Sequence, residues 1–286
     1  MRTRFSLPVV AMIALGTSAA FAPGRGAFQR TLNVTGPVDL DVLSEIGGII
    51  LTVGASDSIR VQAVLTPQLG PLDIVKADAR IRALEANPPV DQTGNRIRIG
   101  YPADSELLTR ISMRLTIEVP RTTIVRARTR SGGIEISGIV GRVDGESGSG
   151  RIVTSDINGD VFLKSQSGGI LVSKSQGRVV AHNGSGAIEA TDVAGPIDAM
   201  TASGAIRLSQ VQPAAIRAHA KSGAIKVTLA PGAGYDFLAQ SESGKIFVSG
   251  MTTQQGKNIR HLTGKLGGGG PLVDINTNSS AVHINQ

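Results

Sequence analysis

From Ser131 onward, short runs in which apolar or small residues alternate with polar ones restart at a fixed interval, and glycine marks each restart. Ser-Gly, one further residue and Ile recur at Ser131 to Ile134, Ser149 to Ile152, Ser167 to Ile170, Ser185 to Ile188 and Ser203 to Ile206. Their glycines, Gly132, Gly150, Gly168, Gly186 and Gly204, are therefore 18 residues apart. A second series, Gly141-Arg-Val143, Gly159-Asp-Val161, Gly177-Arg-Val179 and Gly195-Pro-Ile197, is offset by nine, so two nine-residue units make one period. The third and fifth positions of a unit, as in Ile170 and Val172 or Ile206 and Leu208, face one side of an extended chain about five residues long. So short a strand cannot bury that side alone, whereas stacked coils bury one continuous column of Ile and Val. The pattern predicts an all-β fold, a single-stranded parallel β-helix or β-roll-like solenoid with 18-residue coils made of two nine-residue units.

The two halves of a coil differ. Seven residues past the Ser-Gly glycines lie Ile139, Ile157, Ser175, Val193 and Val211, while the other half has Gly148, Gln166, Gly184 and Ala202. One corner is expected to pack inward and the other to be tight or exposed. Beyond Gly204 the spacing grows to 19 at Gly223 and 21 at Gly244, with Pro213 and the Ala230-to-Gly234 segment as insertions at turns. Val282, in the last strand Ala281 to Ile284, falls two 18-residue periods after Ile246. That spacing predicts that the stack continues through Gly267 to Gly270, which then form a loop on the solenoid rather than a linker.

Before Ser131 the register is looser. Phe28 to Val34, Val38 to Val42, Ile49 to Val53, Ile59 to Leu65, Asn95 to Ile99, Arg114 to Val119 and Thr123 to Arg128 have the rhythm of strands, and Gly48 to Val53 resembles the later unit. Leu72 to Leu84 has a helical rhythm ended by Asn87-Pro88-Pro89. A terminal coil needs a cap over its apolar end. The expected organisation is a signal peptide over 1–22, a strand-rich capping region over 23–130 continuous with the solenoid, and the repeat region over 131–286.

Composition sharpens this picture. The chain of 286 residues has 36 glycines, no cysteine, no tryptophan and only eight aromatic residues, so aliphatic columns must replace an aromatic core. The missing cysteines exclude disulfides, a thiolate nucleophile, cysteine-ligated metals and a lipidated cysteine. Met1-Arg-Thr-Arg4, the apolar Phe5 to Leu15 and the small-residue Gly16 to Ala22 follow the order of a secretory signal, with cleavage after Ala20 or Ala22; an uncleaved membrane tether is the alternative. An exported protein, periplasmic, envelope-associated or extracellular, is expected. The formal charge is +7, and losing Arg2 and Arg4 leaves about +5. The basic residues are scattered, and Arg121 to Arg130 alternates with apolar residues as a strand does. Nucleic-acid binding, which needs a clustered basic footprint and stacking groups, is not expected. Weak association with an anionic surface, such as lipid headgroups or acidic polysaccharide, fits the charge better.

Calcium-binding β-rolls need dense Gly-Gly-x-Gly-x-Asp turns, and here Asp156, Lys174 and Asp192 share one column, with lysine where a carboxylate would be wanted. Polysaccharide-processing β-helices display carboxylates, but Asp144 with Asp198, or Asp156 with Asp192, would lie about 10 Å apart at the sheet spacing, beyond the roughly 5 to 9.5 Å of a glycosidase pair. His182, His219, His261 and His283 are dispersed and form no ligand motif. Ser-Gly repeats provide hydroxyls but no nucleophile elbow, and Gly267 to Gly270, followed by proline, makes no phosphate loop. No catalytic, cofactor-binding or metal residue is assigned, and no cofactor is implied.

The signal-like start, the Gly47-Gly-Ile49 turn within Phe28 to Val53, and the Ser-Gly-x-Ile series resemble a bacterial domain-of-unknown-function family described as putative adhesins, over residues 28 to 286. The resemblance implies a β-helix-like fold in exported or envelope-associated proteins and transfers no catalytic residue. A noncatalytic scaffold or adhesin-like binding module for an envelope protein or glycan is the expectation, with a carbohydrate-active β-helix enzyme as the alternative. Self-association through exposed terminal coils is a further expectation.

Overall fold

The computed structural model describes residues 25–68, 74–249 and 260–286; the signal peptide expected over 1–22 and Leu72, the expected start of the helix, lie outside these. The N-terminal part contains β1 (Gly26–Asn33), β2 (Val38–Ile46), β3 (Ile49–Val53), β4 (Ser58–Pro67), α1 (Ile74–Ala86), β5 (Val90–Thr93), β6 (Arg96–Ile99), β7 (Ile111–Val119) and β8 (Thr123–Ser131). The repeats form β9 (Ile134–Ser137), β10 (Val143–Ser149), β11 (Ile152–Ile157), β12 (Val161–Ser167), β13 (Ile170–Ser175), β14 (Val179–Ser185), β15 (Ile188–Val193), β16 (Ile197–Ser203) and β17 (Ile206–Gln210). After them come β18 (Ile216–Ser222), β19 (Ile225–Thr228), β20 (Tyr235–Ser241), β21 (Ile246–Val248), β22 (His261–Leu266), β23 (Leu272–Thr277) and β24 (Val282–Asn285).

The strands form two 12-stranded sheets, A and B, between which successive strands alternate from β6 to β22, and most ladders are parallel, as an all-β solenoid requires. In sheet A, Ile134, Ile152, Ile170, Ile188 and Ile206 are paired neighbours; in sheet B, Val143, Val161, Val179 and Ile197 are. All these side chains are buried between the sheets. Each such burial stabilises by roughly 1.5–3 kcal/mol over exposure. Few aromatic rings enter this core; Phe162 is half-buried and Phe247 exposed.

Glycine sets how closely coils approach. At Gly168, φ is +141° and a Cβ would lie 2.2 Å from the Gly150 carbonyl oxygen; Gly132, Gly150, Gly186, Gly204 and Gly223 repeat the contact one coil apart. A buried polar row lies against this column. Ser147, Ser165, Asn183 and Thr201 donate to the carbonyls of Gly132, Gly150, Gly168 and Gly186, and Thr129 and Thr277 to those of Gly47 and Gly223. Ala220 occupies the same row between Thr201 and Thr277 and has no hydroxyl to offer Gly204.

The inward corner holds at Ile139, Ile157, Ser175 and Val193, all buried, but Val211 is 51% exposed. Asp156, Lys174 and Asp192 turn their strands with φ of 53°, 53° and 56°. Strand β17 has no such left-handed residue, so its chain reaches the corner one residue early and Gln210 pairs with Val193. Gln210 is long enough to donate to the Gly195 carbonyl from there.

The largest departure from expectation is at the ends. The last strand does not stack two coils beyond Ile246. Val282 pairs directly with Ile246 on one side and Ile225 on the other, because β24 inserts between β19 and β21. In sheet B, β23 likewise inserts between β18 and β20. The N-terminal end mirrors this, with β2 between β6 and β8 and β3 between β7 and β9. The ladders turn antiparallel at the extremities, where β4 pairs with β1 and β7, β5 with β6, and β22 with β20. Helix α1, described from Ile74, stops before Pro88 and Pro89 and buries Ala77, Ile81 and Leu84. It packs so closely on β1 that a Cβ at Gly26 would sit 2.3 Å from Ile81. Its Glu85 carboxylate accepts from the Ala27 N–H at 2.8 Å.

Candidate binding face

Because inward positions are spent on the core and the glycine carbonyls, chemistry open to a partner sits on the outer faces of the sheets. Residues two apart on a strand share a face, and equivalent residues of neighbouring coils form rows at one sheet spacing, about 4.8 Å.

On sheet B, one outer row contains Arg126, Asp144, Phe162, Val180, Asp198, Arg217 and Asp274. Asp144 and Asp198 are thus three ladder steps apart, about 14 Å rather than 10 Å, with Phe162 and Val180 between them. The sequence count missed one coil. Asp156 and Asp192 are two steps apart with Lys174 between them, as expected, and Asp156 approaches Arg121 at 3.9 Å.

The N-terminal half of this face is a network of paired charges. Asp39 receives hydrogen bonds from Arg126 and Arg96, and Asp41 from Arg128 and the Tyr101 hydroxyl. Arg142 holds Asp144 at 2.9 Å and lies 4.2 Å over the Phe162 ring. The hydrogen bond that Arg142 donates to Asp144 raises the Arg142 pKa. Burial and then the Asp41 hydrogen bond and charge push the Tyr101 phenol up, with Arg128 opposing. The arginines of β8 alternate outward against carboxylates of β2.

The C-terminal half differs. A second outer row runs Lys164, His182, Met200, His219, Asn276, and beside it run Gln166, Gly184, Ala202, Lys221 and Asn278. Gly184 and Ala202 project almost nothing, so the second row collapses between Gln166 and Lys221. The result is an open basin of about 590 Å³. Two of the four histidines therefore meet in one place although 37 positions separate them in the chain. His182 Nε2 lies 3.9 Å from Asp198 and His219 Nε2 3.5 Å from Asp274, in each case the aspartate of the next strand in the sheet. The others lie elsewhere, His261 beside Gln240 and His283 stacked on Phe247 at 4.8 Å. Among the described residues, no three His, Asp or Glu side chains gather as a metal-binding group.

The basin was not foreseen from the sequence. Its signal was present as the smallest residues of the second half-unit, Gly184 and Ala202, flanked by Gln166 and Lys221, but only pairing places them beside His182 and His219. The outer face of sheet A carries the hydroxyl row Ser137, Ser155, Ser173, Thr191 and the neighbouring charges Glu189, Arg207 and Lys226.

This is a stacked, mostly parallel β-solenoid with an open basin on the outer face of sheet B. The chain belongs to the toastrack family DUF4097, which matches residues 85–285. Two solved structures are similar to it. One, from Bacteroides fragilis and titled a putative adhesin, is 11% identical, covers 93% of this chain and 100% of its own, and has a TM-score of 0.47. The other, from Clostridium sporogenes and titled a putative cell adhesion protein, is 12% identical, covers 91% and 99%, and has a TM-score of 0.29. Both scores are too low to carry an argument about function. Nothing among the curated proteins matches the chain.

Proposed function

We propose that this chain is a noncatalytic binding module of the cell envelope or extracellular space, adhesin-like in that its rigid stack presents polar rows to an envelope protein or glycan. The observation that carries this is the division of labour across each strand. Inward side chains repeat from coil to coil and hold the stack, which leaves the outward rows, such as Lys164, His182, Met200, His219 and Asn276, free to vary and to face a partner. The carboxylates support the same reading. Asp144 and Asp198 are too far apart for a glycosidase pair, and Phe162 and Val180 separate them.

The architectural unit belongs to this proposal. We take one coil to be 18 residues in two nine-residue halves, with residues 23–130 as the capping region and 131–286 as the repeat region. Export through the Met1-to-Ala22 segment to the periplasm or beyond is part of the same proposal.

The test is a pull-down from intact cell envelope with the mature protein, run beside glycan binding and glycan turnover on the same sample. Saturable capture of an envelope protein or glycan without turnover is expected. Loss of both binding signals together with measurable glycan turnover would sink the binding-module reading.

A further inference from the structure

We propose that the basin on sheet B binds a carboxylate-bearing polysaccharide, a uronate polymer, laid along the solenoid axis across β12, β14, β16 and β18. The proposal rests on the binding-module reading and names the partner class for one of its faces.

Charge is the first argument. Lys164 and Lys221 stand on the two rims with His182 and His219 between them, and no carboxylate lines the basin. Asp198 and Asp274 lie in the adjacent row and face the two histidines, and Glu146 stands beside Lys164 in its own row, just beyond the rim. Lys164 pairs with the solvent-exposed Glu146 at 3.7 Å, a contact that screening leaves weak. The basin therefore favours an anionic ligand, unlike the neutralised network at the other end of the same sheet.

Direction is the second. The hollow runs across the strands, over backbone whose N–H and C=O groups are already paired in the ladders joining Ser165, Asn183, Thr201 and Ala220. A peptide laid there would find no free edge to add to as a strand. A sugar chain brings its own hydroxyls and carboxylates and needs only side-chain partners. Gln166 and Asn278 supply amides beside the lysines, and Met200, 37% exposed at the middle of the wall, offers an apolar patch to a ring face.

Period is the third. The distance from Gln166 to Lys221 along the sheet is three ladder steps, about 14 Å. An extended chain of pyranose rings advances by close to one ladder step per ring. A ligand with that repeat places one ring over each successive coil, and about three rings span the hollow. Without an aromatic platform each ring contributes weakly, so affinity should grow with chain length.

Oligogalacturonates of increasing length, titrated calorimetrically into the purified full chain, test this, with neutral cello-oligosaccharides of the same lengths as comparison. Saturable binding that strengthens with length and is absent for the neutral series is expected. Ala202→Trp, which fills the hollow from an exposed position, should weaken binding at least tenfold. Lys164→Ala with Lys221→Ala should weaken it about tenfold and flatten its salt dependence. Arg207→Ala with Lys226→Ala, on the outer face of sheet A, should leave it unchanged, and thermal melting of each variant reports that it is folded. Equal binding of the neutral series, an unchanged affinity in folded Ala202→Trp, or equal losses from the sheet A pair would overturn the assignment. If oligogalacturonate does not bind while envelope capture persists, this inference fails and the binding-module reading stands. If capture also fails and glycan is turned over, that reading fails too.

Discussion

Replacing Gly168 by alanine tests whether the glycine column sets the coil spacing. The new Cβ would lie 2.2 Å from the Gly150 carbonyl oxygen, and separations under 3.0 Å are essentially never tolerated, so the coils must part locally by about 0.8 Å. The obstacle is backbone and cannot rotate away. On one side the Gly150 N–H donates to Ser167 at 2.9 Å; on the other the Gly168 N–H donates to Ser185 at 3.0 Å. An opening of that size takes one or two such bonds beyond useful length and pulls the Gly168 carbonyl from Asn183. Each lost bond costs about 1 kcal/mol, and more if the buried group is left unpaired. The backbone at φ +141° adds roughly 1–3 kcal/mol for a residue with a side chain. The total is about 3–5 kcal/mol. For a chain of this size that corresponds to a fall in Tm of roughly 6–15 °C. Gly268→Ala is the matched control, since nothing lies within 4 Å of its added Cβ. Thermal and urea unfolding followed by far-ultraviolet circular dichroism compares the two. A Gly168→Ala protein melting within about 2 °C of Gly268→Ala would refute the argument, because the change would then cost less than 1 kcal/mol.

Two further outcomes are expected. Ala220→Ser should supply the missing hydroxyl opposite Gly204 and stabilise by about 0.5–1 kcal/mol, whereas Thr201→Val, which strips the equivalent hydroxyl from Gly186, should destabilise by about 1–2 kcal/mol; equal Tm values for these variants and the parent would deny the polar row a structural role. The chain's two tyrosines are both held above the ordinary value of about 10, Tyr101 by burial and then Asp41, Tyr235 by burial against an opposing Ala230 N–H. The unfolded chain therefore loses its phenolic protons first. The stability tied to the neutral phenols is whole below pH about 10 and is lost as pH rises through the folded-state values. An ultraviolet absorbance titration of the folded protein with its midpoint at the ordinary value would contradict this.

Much of the fold was legible because its rules are local. Alternation at Ile170 and Val172 fixes which side of a strand is buried, and the positive φ at Gly168 requires the residue found there. Helix α1 could be placed from its stop signal at Pro88 and Pro89. Val211 was misplaced because one missing left-handed residue in β17 shifts the corner, and a period counted from glycines does not register a change between them. The basin was illegible for a related reason. Gly184 and Ala202 look like ordinary small turn residues until pairing sets them beside His182 and His219.

By itself the sequence determined the strand unit, its inward and outward faces, and which residues are equivalent from coil to coil. These follow from the two-residue alternation of an extended chain and the steric demands of glycine, both short-range. Only the tertiary structure decided the order of the coils at the ends, with β2 and β3 inside β6 and β7, and β23 and β24 inside β20 and β21. Every coil offers the same aliphatic column and free ladder, so a strand pairs as well with the next coil but one as with the next. What separates those arrangements is the seating of β2, β3, β23 and β24 between coils and the short or antiparallel strands left at the edges, where unpaired backbone would otherwise invite further pairing. That balance belongs to the assembled stack and is written in no single repeat.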